Sequence, residues 1–134
     1  MKTLLLGALL ILPSAAFAGA VTVFKGRPTM KIAEAGLGRA PETLSSRNAD
    51  YFECVISKVG EDYFWASREN ARLQRVDAGA FVTFTAFDGS GYVRVTKKEK
   101  KAAASRVGST EARFDYVEHL LVGLRSFTYY GIEQ

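Results

Sequence analysis

From Tyr51 to the C-terminus the chain is written as short apolar alternations cut by turn residues at even intervals, a layout that admits few folds beyond a small antiparallel barrel or sandwich. Tyr51 to Val59 alternates, with Phe52, Cys54 and Ile56 on one face and Glu53 and Ser57 on the other. Gly60, Glu61 and Asp62 turn the chain into Tyr63 to Ser67, which holds the only tryptophan, Trp65. Leu73 to Val76 is a weaker strand. Ala80 to Phe87 is rich in aromatic and β-branched residues, and Asp88, Gly89, Ser90 and Gly91 form a turn that returns it to Tyr92 to Thr96, where Val93 and Val95 share a face.

The C-terminal segment fits two templates. Phe114, Val117, Leu121 and Leu124 make a helical stripe, with Ser109 or Thr110 available as its N-cap. As a strand, Phe114, Tyr116, Leu120, Val122 and Leu124 lie on one face, interrupted only by Glu118, while Asp115, His119 and Arg125 lie on the other. The β context favours a strand pair hinged near Gly123, with the aromatic run Arg125 to Ile132 as the last strand. The expected fold is therefore mainly β, a small barrel or sandwich that resembles SH3-like barrels in general layout. An α+β fold with a helix near 110–122 is the alternative.

The N-terminus reads differently. Lys2, the apolar run Leu4 to Leu12, and Ala16, Phe17 and Ala18 have the three parts of a signal peptide, so residues 1–18 are expected to form a signal helix cleaved near Ala18. That run is too short for a spanning helix, so no transmembrane segment is expected in the mature chain. Val21 to Phe24 suits a short strand, but residues 19–50 otherwise look irregular, with Gly26, Pro28, Gly36, Gly38 and Pro41 among Ser and Asn. Pro41 to Leu44 suits one helical turn. Residues 51–134 are the β-rich domain, and the address implied is periplasmic or extracellular.

Cys54 is the only cysteine, so no disulfide can form within the chain and stability must come from an apolar core that the alternation assigns Cys54 to. Catalytic inventory is thin. His119 is the only histidine, and nothing around Cys54 favours a thiolate, so a Cys-His dyad is not expected. No Cys or His pair has zinc spacing and no glycine-rich phosphate loop stands between a strand and a helix, so no metal and no cofactor are expected. Glu53, Glu61, Asp62, Asp77 and Glu118 are carboxylates by type only.

Basic charge is concentrated in one place. Arg94, Lys97, Lys98, Lys100, Lys101 and Arg106 face a single acid, Glu99, whereas the rest of the mature chain is slightly acidic. An exported protein seldom meets nucleic acid, so these bases suit weak contact with an anionic surface instead. The chain is thus read as a non-enzymatic envelope or periplasmic binding module whose partner is a protein, peptide or glycan. Its expected contact residues are Asp88, Ser90, Tyr92, Arg94, Lys97, Lys98, Lys100 and Lys101. The alternative is a small secreted hydrolase using carboxylates on the barrel rim.

Overall fold

The computed structural model describes residues 19–34, 41–87, 91–99 and 114–134, which form a closed antiparallel barrel. Its elements are β1 (Val21–Glu34), β2 (Glu42–Thr43), α1 (Ser46–Tyr51), β3 (Cys54–Val59), β4 (Asp62–Trp65), β5 (Ala71–Ala78), β6 (Phe81–Phe87), β7 (Gly91–Lys98), β8 (Tyr116–Val122) and β9 (Arg125–Glu133). From β3 onward each strand pairs with the next, and β9 returns to β1, which also pairs with β3. The two-residue β2 only extends one edge of β1 beyond β3, at Met30 and Lys31. The mainly β expectation holds, as a barrel of eight strands rather than a sandwich.

The irregular N-terminal segment needs correction. β1 runs for 14 residues, straight through the Gly26 and Pro28 that made it look like loop. Pro28 is tolerated because the register with β9 shifts between Pro28 and Met30, a bulge that bends the strand where proline's missing donor does least harm. The helical turn expected at Pro41 to Leu44 is also displaced. There the chain makes β2, and the helix starts at Ser46, where the Ser45 hydroxyl accepts from the Asn48 N–H at 3.3 Å as an N-cap.

At the C-terminus the strand template wins over the helix near 110–122. β8 and β9 are a hairpin around Gly123, whose φ of 57° is the left-handed backbone that glycine adopts without penalty. The signal helix expected over residues 1–18 lies outside the described residues.

The core is the barrel interior. Phe24, Ile56, Leu73, Val82, Phe84 and Val95 fill the half near the β3–β4 and β5–β6 turns, each contributing about 2 kcal/mol of apolar burial. Tyr116 crosses this half with its ring edge-on to Phe24, the centroids 5.1 Å apart. It fits because two glycines face it. A Cβ on Gly26 would stand 2.5 Å from the Tyr116 ring, and one on Gly131 would meet both that ring and the Arg27 carbonyl. Neither site has room for a methyl group, and at Gly131 the obstacle includes backbone that cannot swing away.

Gly131→Ala is therefore expected to destabilise the barrel by about 2 kcal/mol or more, and by more than Gly26→Ala does, read as the shift in the urea denaturation midpoint at constant slope.

Candidate functional site

Across β6, β7, β8 and β9 the registers set inward-facing side chains in rows. Ala86, Val93, Leu120 and Phe127 align nearest the end where β6 and β8 finish, followed by Phe84, Val95, Glu118 and Tyr129, and then by Val82, Lys97, Tyr116 and Gly131. The lower rows are filled by large side chains, the Tyr116 ring covering Gly131. The first row is not, since Ala86, like Ala71 at the start of β5, offers only a methyl group. What remains at this end is a cleft of about 790 Å³, with Trp65, Ala71, Ala86, Val93 and Leu120 among the residues lining it. Arg68 stands at its rim, the guanidinium 5.5 Å from the Trp65 ring centroid and 6.0 Å from that of Phe52.

Beside Trp65 the interior becomes polar. Cys54 and Glu118 are fully buried, and the thiol interacts with both the Trp65 and the Glu118 side chains. Apart from this weak thiol contact, no hydrogen-bond partner among the described residues reaches the Trp65 Nε1, the Tyr116 hydroxyl or either carboxyl oxygen of Glu118. Such orphaned groups are rare in a closed core and mark a place where polar atoms await a partner. Burial drives the Glu118 carboxyl up from 4.5 to about 7, against the opposing pull of Arg68 and the Cys54 thiol. Burial, then the Glu118 charge, raises the Cys54 thiol well above its usual range, so this is not an activated nucleophile.

His119 lies on the other side of the wall. Its Nδ1 is 3.2 Å from the Thr128 hydroxyl on the outer face, so β8 itself separates it from Cys54 and no dyad forms. The other candidate carboxylates are committed to cations: Glu53 to Lys25, Glu61 to Lys58, Asp62 to Arg72 and Asp77 to Arg75. Among the described residues Arg68 is the charged side chain that acts on Glu118.

The expected contact residues scatter. Tyr92 borders the cleft, and Arg94 lies two residues further along β7 on the outer face. Lys97 points inward, is 9 % exposed, and pairs with Glu133 at 3.2 Å, so it stitches the filled end of the barrel instead of joining an exposed lysine patch. Lys98 ends β7 on the outer face. Asp88, Ser90, Lys100 and Lys101 lie outside the described residues. Glu118, Arg68, Ala71 and Ala86 were not singled out as contacts by the sequence. Glu118 alone carried a signal, as the charged interruption of an apolar face.

Fold and cleft together define a small up-and-down β-barrel that is filled at one end and open at the other. No protein-family model, no curated protein and no solved structure matches the chain.

Because the folded state holds the Glu118 proton up to about pH 7 while the unfolded chain releases it near 4.5, stability is expected to fall as pH rises through this window. The loss is about 3 kcal/mol, complete above pH 7. Glu118→Gln should remove most of this dependence and be the more stable protein in alkaline buffer, as measured by denaturant titration on either side of the window.

Proposed function

We propose that the protein is a non-enzymatic, exported binding module whose barrel mouth receives one small apolar or amphiphilic molecule. The cleft carries this reading: a barrel of eight strands is just wide enough for side chains to fill or to hold one small ligand, and here the large side chains stop short of one end. Trp65, Val93 and Leu120 supply an apolar bed, and Arg68 a cation for a polar or anionic end. The signal sequence is the ground for placing the module in the envelope or outside the cell. A rim hydrolase draws less support, because its carboxylates are tied to separate cations.

Trp65 is the only tryptophan, so its emission reports on the cleft directly. Anilinonaphthalene sulfonate, an apolar ring system with one anionic group, is expected to bind at a single saturable site and quench Trp65 by energy transfer. Ala86→Phe, which fills the cleft, should weaken that binding about tenfold with the circular dichroism spectrum unchanged. Equal binding by this variant, or no saturable site in the parent, would show that the cleft is not used.

A further inference from the structure

Turn tips in small barrels are usually built from Gly, Asn, Asp and Ser, which satisfy the backbone and stay wet. At the mouth of this barrel the β4–β5 and β6–β7 connections keep to that composition in sequence, and the β8–β9 turn departs from it. Leu124, beside Gly123 in the β8–β9 turn, is 99 % exposed, and Phe87 at the end of β6 is 76 % exposed. The registers set Phe87 against Tyr92 and Tyr92 against Leu121, so three apolar side chains stand in one row across β6, β7 and β8. Tyr51 of α1 is 77 % exposed and also borders the cleft, so apolar groups project around the opening. Exposed apolar residues also stand at the opposite end, Val21 at 62 % and Val76 at 48 % among them, but the three most exposed, Leu124, Tyr51 and Phe87, all project at the mouth.

Acid is present at this end, in Glu69 beside Arg68 on the cleft lining, but arginines outnumber it. Arg68 sits in the β4–β5 connection, Arg125 opens β9, and Arg94 is one outward position down β7 from Tyr92. Salt bridges occupy Lys25, Arg27, Lys58, Arg72, Arg75 and Lys97, whereas Arg68, Arg94 and Arg125 make none among the described residues. Apolar tips with guanidinium groups outside any salt bridge behind them fit a lipid interface, where the tips enter the acyl boundary and the cations meet phosphate. A folded protein suits this rim less well. Its surface would bridge separate prominences around an open cleft and leave the centre unfilled, at odds with the close packing of specific interfaces.

We infer that this rim docks the barrel, mouth first, onto an anionic lipid surface, so that the cleft opens directly toward acyl chains. Docking rests on the rim alone. Acyl-chain amphiphiles as the ligand class rest in addition on the proposed use of the cleft.

The test uses the chain from Gly19 onward, which carries every strand of the barrel, sedimented with vesicles of phosphatidylcholine alone or mixed with phosphatidylglycerol. Uptake by the mixed vesicles, weakened by salt, is expected. Leu124→Asp should reduce it about tenfold. Arg125→Gln should reduce it about fivefold. Val76→Asp, on the outer wall at the opposite end, should leave uptake unchanged, and so should Ala86→Phe, because filling the cleft does not alter the rim. Leu124 and Arg125 are exposed, so neither change threatens the fold, which circular dichroism verifies. Equal uptake by the rim and Val76 variants overturns the proposal. So does an absence of uptake, and a self-associated species that Leu124→Asp dissolves would then reassign the rim to contact between copies. Saturable probe binding that persists without vesicle uptake would sink docking while leaving the cleft reading intact.

Discussion

The pairing of β1 with β9 is the constraint on which the rest of the molecule depends. It runs from Gly26 opposite Glu133 to Glu34 opposite Ser126, and it turns a meander with two raw edges into a barrel with none. β1 can make it because the strand is long and bends at its bulge, so that one edge serves first β3 and then β2 while the other serves β9. The seam is also where the backbone comes closest to the core. Gly26 and Gly131 lie opposite the Tyr116 ring, and side chains there would push the two closing strands apart.

Closure creates an inside, and the inside is uneven. One half is filled by aromatic and aliphatic side chains and stitched by the Lys97–Glu133 pair, whose charges sit within reach of each other and of solvent at the end of the barrel. The other half is left open by Ala71 and Ala86. Between them Glu118 is buried without a direct counterion, an arrangement that costs stability whenever the carboxyl ionises. Proteins that carry such a cost tend to do so at sites that are used. Here the costly groups lie beside Trp65 in the wall of the cleft.

Much of the fold was legible in the sequence from Tyr51 onward. Alternation placed Cys54 and Ile56 inside together, and the same holds for Val93 and Val95. The hairpin at Gly123 followed from β context where period alone was ambiguous. The N-terminal strand was not legible, because glycine and proline read as loop unless one knows that a ring lies opposite the first and a bulge follows the second. The site was legible only in part. Glu118 was visible as the single break in an apolar face, but a break does not say whether a charge points to solvent at a strand end or into a core. Ala71 and Ala86 carry no signal at all, since a small residue marks a cavity only when its neighbours fail to fill the space.

The sequence by itself determined the class of structure: period-two apolar patterning with frequent turns can bury its faces only as antiparallel sheet, and one cysteine leaves that sheet to hold by core burial. Tertiary structure decided the rest. Which strands meet at the seam, that Lys97 points inward while Arg94 points outward, and that two alanines line one cleft all depend on closure. Closure is a relation between residues a hundred positions apart, and local pattern does not encode it.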